Sequence, residues 1–184
     1  AVRHSPGVKL LDVDPGAATN RTVFTFAGSP ADVLEAAFNA IKTGLELIDM
    51  RFHKGAHARM GACDVCPFVP VSGVTMEECA KLARELGKRV GDELKIPVYL
   101  YAEAASRPER KRLPDIREGE YEALPEKLKK KDFAPDFGPA AFVPRSGATA
   151  IGARKFLIAY NVNLNTSDVG LAKKIAFEIR ETGK

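Results

Sequence analysis

The stretch Arg51-Phe-His-Lys-Gly-Ala-His-Ala-Arg-Met-Gly-Ala-Cys-Asp-Val-Cys-Pro-Phe-Val-Pro-Val71 connects two segments of helical periodicity, and the rest of the chain is organised around it. It holds two of the three histidines, His53 and His57, with glycines beside them. Glycine here argues against a continuous helix and lets the backbone approach a ligand closely. Histidine is the side chain best suited to moving protons near neutral pH. We therefore expect any catalytic chemistry in this stretch, residues 51–71. Its first part, residues 51–63, is called the histidine loop below.

A long helix leads into the histidine loop. Ser29 and Pro30 form an N-cap followed by proline at the first helical position. The helix is predicted to end near Asp49, after about five turns. Its apolar residues recur at helical spacing and should face a core: Val33, Ala36, Ala37, Ala40, Ile41, Leu45 and Ile48.

A strand and a second helix follow the histidine loop. Residues 64–71 read as a strand whose two prolines favour an edge or a bulge, because proline cannot donate to a ladder. Thr75-x-x-Glu78 is a capping box. The helix that it opens should end at Pro97, and residues 98–101 should form the next strand. Its apolar stripe comprises Cys79, Leu82, Ala83, Leu86, Val90 and Leu94.

Both ends of the chain also show regular patterns. Residues 9–14 predict a strand that ends at a Pro15-Gly16 turn, and residues 21–26 predict a second strand. The clearest alternation of apolar and polar residues covers residues 154–163 and predicts a strand there. A last helix should begin near Asp168.

Two segments lack clear periodicity. Residues 103–135 are charged and contain prolines, so we predict an excursion over the surface with one short helix near residues 124–130. Residues 136–147 combine glycine, proline and phenylalanine without helical or strand spacing. The predicted order of elements is thus β-β-α-β-α-β-insertion-β-α. It favours an α+β fold with helices packed on one face of a mixed or antiparallel sheet, in a ferredoxin-like arrangement of layers.

Composition limits the classes of function. The 184 residues carry a net charge of +4 and have a pI near 9.0. The one dense basic run, residues 126–132, is flanked by acids and lacks aromatics, so a solvated helix face is favoured over a nucleic-acid site. No apolar run approaches the roughly 20 residues of a membrane span, and no signal peptide opens the chain. We expect a cytoplasmic protein that binds neither membrane nor nucleic acid.

Three cysteines suit a reducing compartment, since an odd number cannot form a closed set of disulfides. Cys63-x-x-Cys66 supplies only two of the four ligands that a structural zinc site usually needs. Buried strand cysteines are therefore favoured over a metal or redox role. His53 and His57 could bind a metal on one helix face, but Gly55 makes that helix improbable.

From the residues alone, His57 has two interpretations. It is either a proton shuttle in a glycine-lined loop or a structural histidine whose nitrogens bond to the backbone. Asp14, at a predicted strand end, is a candidate partner that would orient an imidazole, and the alternative is a turn aspartate.

Five segments together closely resemble the glutamate formiminotransferases, over nearly the whole chain. They are Leu10-Leu-Asp-Val-Asp-Pro-Gly16, Thr19-Asn-Arg-Thr-Val-Phe-Thr-Phe26, His53-Lys-Gly-Ala-His-Ala-Arg-Met-Gly61, Asp64-Val-Cys-Pro-Phe-Val-Pro-Val71 and Phe137-Gly-Pro-Ala-Ala-Phe-Val-Pro144. The resemblance is to the family's N-terminal subdomain. That subdomain normally starts with one more strand and helix, and a second subdomain follows it, so residues 1–184 are expected to be this subdomain truncated at both ends.

The resemblance implies an enzyme that transfers a formimino group from N-formimino-L-glutamate to N5 of tetrahydrofolate, in histidine degradation. The family's catalytic histidine falls on His57, and its nearby aspartate falls on Asp14. Asn20, Arg21 and His53 are possible supporting residues. Tetrahydrofolate would be a co-substrate and no metal is implied. A homodimer is possible. The alternatives are a folate-binding protein without transfer activity, or a relative that acts on 5-formyltetrahydrofolate.

The same resemblance implies a folate-binding loop. It comprises Gly138, Pro139, Ala140, Ala141, Phe142, Val143, Pro144, Arg145, Ser146 and Gly147. In this loop Phe142 and Val143 could line the flat pteridine, and Arg145 could meet an anionic group.

Overall fold

The computed structural model describes residues 1–158 and 162–179. The strands are β1 (Val8–Gly16), β2 (Arg21–Gly28), β3 (Val65–Phe68), β4 (Val98–Ala102) and β5 (Thr149–Ala153). The α-helices are α1 (Pro30–Leu47), α2 (Met76–Arg89), α3 (Leu113–Arg117), α4 (Glu120–Lys127) and α5 (Val169–Ile179). Short 3-10 turns cover Val2–His4, Pro108–Arg110 and Lys131–Phe133, and α2 continues into a π-helical turn over Val90–Leu94.

The predicted α+β class and order of elements are confirmed, and the strands are divided between two sheets. β1 and β2 form a separate antiparallel ribbon. β3, β5 and β4 form a parallel sheet in that order, with β5 in the centre. β3 is shorter than predicted and contains only Pro67. It lies at an edge of the sheet, one of the two places predicted for it, where a residue without an N–H is tolerated.

The two long helices begin where their caps predict. The backbone N–H of Asp32 donates to the Ser29 hydroxyl, and Pro30 opens α1. Thr75 and Glu78 form a complete capping box at the start of α2, in which each side chain accepts from the other residue's backbone N–H. These bonds satisfy N–H groups that have no partner within the helix.

The main core lies between these helices and one face of the parallel sheet. α2 packs directly on all three strands, and α1 packs on α2. The buried side chains of this core include Leu34, Phe38 and Ile41 from α1, Cys79, Ala83 and Leu86 from α2, and Phe68, Val98 and Ile151 from the sheet. Cys63 and Cys66 are free thiols that pack against this cluster.

Residues 103–135 cover the opposite face of the sheet, so the prediction of a surface excursion was wrong. Ile116, Leu124 and Leu128 pack under β4 and β5 in a second buried cluster. The segment is anchored by a buried ion pair between Arg110 and Asp136, whose Nη1 and Oδ2 atoms are 2.7 Å apart. The parallel sheet thus carries helices on both faces rather than on one, as parallel sheets usually do.

The strand predicted over residues 154–163 is not formed where the structure describes it. Residues 154–158 have no regular structure, and Phe156 and Ile158 are 70% and 88% exposed. Residues 159–161 lie outside the described part. The strand is instead β5, immediately before. Because β5 is buried on both faces it shows no alternation, and its Gly152 is needed where a β-carbon would lie 2.5 Å from the carbonyl oxygen of Tyr101.

Two smaller differences concern the ends of the chain. β1 continues through Pro15 and Gly16, and the chain reverses over residues 17–20 instead. The last helix is confirmed as α5, and its apolar residues Leu171 and Ile175 are 44% and 36% exposed. Within residues 1–158 and 162–179, no helix combines the length and apolar character needed to cross a bilayer.

Two glycines allow a matched test of this packing. A β-carbon at Gly61 would lie 2.0 Å from the carbonyl oxygen of Ala148, so Gly61→Ala should lower the free energy of unfolding by about 1–3 kcal/mol. Gly44 lies within α1, and its β-carbon would meet only Cys63 at 4.0 Å. Gly44→Ala should therefore raise stability by about 0.5–1 kcal/mol. Urea denaturation with an unchanged m-value measures both effects. Equal shifts in the two variants would contradict this account of Gly61.

Candidate active site

The tip of the β1–β2 ribbon lies on the histidine loop. The Asn20 side-chain amide donates to the carbonyl of Lys54 at 2.7 Å, and Nε2 of His53 bonds to the carbonyl of Asn20 at 2.8 Å. The backbone N–H of Ala56 donates to the carbonyl of Ala18 at 3.1 Å. Three hydrogen bonds thus join two segments that are more than 30 residues apart in sequence.

This close contact depends on two backbone conformations. At Gly55 a β-carbon would lie 2.2 Å from the carbonyl oxygen of Thr19, so only glycine allows the tip to approach. Asn20 has φ +48°, in the left-handed region that asparagine tolerates better than most residues. His53 therefore lies in the site as a docking residue: its Nε2 holds the tip, and its Nδ1 is buried without a partner.

Both ring nitrogens of His57 are engaged. Nε2 lies 2.6 Å from Nη1 of Arg21, and Nδ1 lies 2.7 Å from the carbonyl oxygen of Ala58. A guanidinium can only donate and a carbonyl can only accept. The contacts therefore require a neutral imidazole with its proton on Nδ1 and its lone pair on Nε2. Nδ1 is held by the backbone, so Nε2 is the nitrogen that can exchange a proton.

Asp14 shares a face of the ribbon with Arg21 but does not touch His57. Asp14 pairs with Val23 and Gly16 pairs with Arg21 across the ribbon, and paired or alternate residues project to the same face. The Asp14 carboxylate is exposed and has no hydrogen-bond or ion-pair partner in the part of the chain that the structure describes. The imidazole is thus oriented by Ala58 and Arg21.

A second carboxylate, Asp64, lies behind the histidine loop. It accepts a hydrogen bond from the backbone N–H of Met60 at 2.9 Å and forms an ion pair with Arg117. Burial raises the pKa of Asp64, and the charge of Arg117 opposes that shift. Asp64 thereby fixes the end of the histidine loop to α3.

The histidine loop crosses the predicted folate loop, residues 138–147, at two glycines. Gly61 and Gly147 form an isolated antiparallel bridge. The N–H of Ala62 donates to the carbonyl of Ser146 at 2.9 Å, and the N–H of Ala148 donates to the carbonyl of Met60 at 3.0 Å. The structure therefore brings His57 and the predicted folate loop to one side of the molecule.

The folate loop itself is held at both ends. Gly138 and Gly147 have φ +78° and +68°, which favours glycine at each end. Phe142 and Val143 are half-buried and pack against the second and the main cluster, respectively. Arg145 donates to the carbonyl of Glu46 at 2.7 Å, at the end of α1, where a cation is favoured by the helix dipole. Pro139 is half-buried, Ala140, Ala141 and Pro144 are exposed, and Ser146 is buried.

Tyr121 joins the two loops and was missed in the sequence. Its backbone N–H donates to the carbonyl of Arg59 at 2.9 Å, and its hydroxyl donates to the carbonyl of Pro144 at 2.6 Å. Its ring lies 5.3 Å from the Phe142 ring, centroid to centroid. No sequence pattern marks this residue, because it comes from the charged segment that shows no periodicity.

Arg59 is the second residue that the sequence did not reveal. Its side chain is only 11% exposed and forms ion pairs with Glu120 and Glu122 at 2.9 and 2.7 Å. The hydrogen bonds from Arg59 lower the pKa of Glu122 to about 2, so this carboxylate stays ionised near neutral pH. Together with Lys54 they line an open cavity of about 410 Å³ beside the histidine loop.

Metal ligands are not assembled here. Among the described residues, no group of three or more histidine, cysteine, aspartate or glutamate side chains could hold a metal ion. Burial raises the pKa of Cys66 to about 12 and raises that of Cys63 further, so both thiols stay protonated in the core.

The chain is similar to known proteins along its whole length. The family model described as "Formiminotransferase domain, N-terminal subdomain" matches residues 1–154, up to the residue after β5. The chain is 58% identical over 184 residues to formimidoyltransferase-cyclodeaminase of Rattus norvegicus, covering 100% of this chain and 34% of that protein.

Two shorter relatives are each named glutamate formimidoyltransferase. The one from Thermoplasma acidophilum is 55% identical over 175 residues, which is 94% of this chain and 57% of the relative. The one from Streptococcus pyogenes serotype M1 is 48% identical over 178 residues, which is 97% of this chain and 60% of the relative. The chain spans between about a third and three fifths of these relatives. It belongs to the formiminotransferase domain family and corresponds to the N-terminal subdomain of that domain.

Proposed function

We propose that this protein transfers a formimino group from N-formimino-L-glutamate to N5 of tetrahydrofolate, with His57 as general acid and base. The observation that carries the proposal is the tautomer of His57 that its two contacts require, with the proton on Nδ1 and the lone pair on Nε2. Nδ1 is held by the carbonyl of Ala58, and the lone pair on Nε2 is directed away from the core towards the exposed ribbon.

The proton transfers follow from this tautomer. N5 of the folate attacks the amidine carbon and forms a tetrahedral intermediate. Nε2 of His57 accepts the proton that N5 loses and then returns it to the departing nitrogen of glutamate. The imidazolium formed in between keeps the Nδ1–H bond to Ala58, so the ring need not turn. General acid–base catalysis of this kind is typically worth about 10²–10⁴-fold in rate.

Asp14 is assigned to binding the formimino donor rather than to orienting the imidazole of His57. It is an exposed carboxylate on the ribbon face that also carries Arg21, and it lacks a partner in the described residues. A free carboxylate in that position suits a positively charged amidine, whose positive charge it can stabilise. Asn20 and His53 act through the docking of the ribbon tip.

The loop of residues 138–147 is assigned to the folate. Phe142 and Val143 are half-buried, so each leaves part of an apolar side chain for a flat heterocycle. Tyr121 supports this loop through its bond to Pro144 and its ring contact with Phe142. A loop that is tethered at both ends loses little conformational entropy when it binds a ligand.

The proposed reaction also implies a metabolic pathway, a compartment and an assembly. We assign the reaction to histidine degradation in the cytoplasm, with two small-molecule substrates and with a homodimer as the proposed assembly. Three free cysteines suit a reducing compartment. We also assign residues 1–184 to the N-terminal subdomain, whose packed core ends with β5.

The role of His57 predicts a specific loss of turnover. In the full-length protein, His57→Ala should lower kcat by at least about 10²-fold while the dissociation constant of tetrahydrofolate stays nearly unchanged. His4→Ala, which removes an exposed histidine outside the site, is the matched control. Unchanged turnover in His57→Ala would remove His57 from the mechanism. If the wild type binds folate but transfers no formimino group, the alternative of a folate-binding protein is favoured. If it acts on 5-formyltetrahydrofolate instead, the alternative of a relative with that substrate is favoured.

The folate loop predicts a loss of binding when its anchor is removed. Arg145→Ala deletes the contacts with the end of α1, so the dissociation constant of tetrahydrofolate should rise about tenfold in calorimetry. Arg84→Ala removes an exposed arginine of α2 and should leave binding unchanged. An unaltered dissociation constant in Arg145→Ala would contradict the assignment of this loop.

A further inference from the structure

Arg21 differs from the other arginines around the histidine loop. Each of the others faces a carboxylate: Arg51 and Arg145 face Asp49, Arg59 faces Glu120 and Glu122, and Arg117 faces Asp64. Arg21 faces no carboxylate within the described residues, and its one side-chain partner is the neutral imidazole of His57. It is an exposed cation that lacks a counter-ion.

That contact also blocks the proposed base. The lone pair on Nε2 of His57 can accept only one proton, and Nη1 of Arg21 occupies it at 2.6 Å. N5 of the folate cannot transfer its proton to a nitrogen that already accepts a hydrogen bond. Once Nε2 is protonated, a guanidinium at this distance would face a second cation. Arg21 must therefore leave His57 before the reaction begins.

A substrate carboxylate is the partner that can move it. Hydrogen bonds between a guanidinium and a carboxylate are charge-assisted and can be bidentate, and they are stronger than a bond to a neutral ring nitrogen. The formimino donor carries carboxylates on its glutamate part and a cationic amidine. The ribbon face presents the opposite pattern, with Arg21 diagonally across from the free carboxylate of Asp14. Diagonal positions on such a ribbon are about 7–8 Å apart.

We propose that Arg21 binds a carboxylate of the formimino donor, and that its movement from His57 to this carboxylate frees Nε2 for catalysis. The inference rests on the proposed function and deepens it. Arg21 becomes a specificity-determining residue that makes the base available only when the donor is bound. A donor without the carboxylate leaves Arg21 on His57 and is transferred slowly.

Kinetics with paired donors test the carboxylate. In the full-length protein, Arg21→Ala should raise KM for formiminoglutamate about 10–100-fold and change KM for tetrahydrofolate less than about threefold. N-formiminoglutamine and N-formiminoisoglutamine each replace one carboxylate by an amide. With the wild type, one of these two donors should have a kcat/KM about 10–100-fold below that of formiminoglutamate. With Arg21→Ala, the same donor and formiminoglutamate should have similar kcat/KM values. Arg21→Lys should recover part of the loss, and Arg84→Ala should match the wild type.

Chemical reactivity tests the block on His57 without any turnover. Diethyl pyrocarbonate acylates an imidazole nitrogen that has a free lone pair, and mass spectrometry resolves the product at each histidine. His57 should react severalfold faster in Arg21→Ala than in the wild type, with His4 as the internal reference. Equal rates of acylation at His57 in the two proteins would overturn the inference. So would donor kinetics in which the loss of kcat/KM from the amide donor is as large in Arg21→Ala as in the wild type. Neither result bears on the role of His57 in turnover, which His57→Ala tests separately.

Discussion

The site depends on one close approach of two backbones, where Gly61 crosses Gly147. A β-carbon on Gly61 would lie 2.0 Å from the carbonyl oxygen of Ala148, and one on Gly147 would lie 2.2 Å from that of Met60. The crossing occurs directly before β5, the central strand of the buried parallel sheet. The crossing of the two loops therefore lies next to the central, buried strand of the core. An attachment to a regular element of the core holds the proposed catalytic histidine more precisely than a free loop would.

The β1–β2 ribbon is separate from the parallel sheet and is held against it at two places. At its base, Phe26 packs against the main core, and at its tip three hydrogen bonds join it to the histidine loop. Between these points both of its strands are largely exposed. Arg21 is the first residue after the tip, so its side chain can reach His57 only when the tip is docked. The contact between Arg21 and His57 therefore depends on the three hydrogen bonds that dock the tip of the ribbon.

Sequence patterns predict the parts of this structure that are decided locally. The caps at Ser29 and Thr75 are local hydrogen bonds, and both helices begin where those residues stand. The resemblance to a known family pointed to His57 and the loop of residues 138–147 as site residues, and the structure brings the histidine loop and that loop together. β5 escaped prediction because a strand buried on both faces has no polar alternation. Tyr121 escaped because its partners, the carbonyls of Arg59 and Pro144, are distant in sequence and carry no pattern.

The conformation of Asn20 links stability to chemistry. A residue with φ +48° costs roughly 1 kcal/mol or more, even though asparagine tolerates the left-handed region well. Two hydrogen bonds, from its side chain to Lys54 and from His53 to its carbonyl, offset this cost at about 0.5–1.5 kcal/mol each. The N–H of Ala56 adds a third bond at the tip, to the carbonyl of Ala18, so the docked tip keeps Asn20 in this conformation. Because Arg21 is the next residue, undocking the tip would withdraw the guanidinium from His57 as well. The position of Arg21 thus depends on the docking of the tip as well as on its contact with His57.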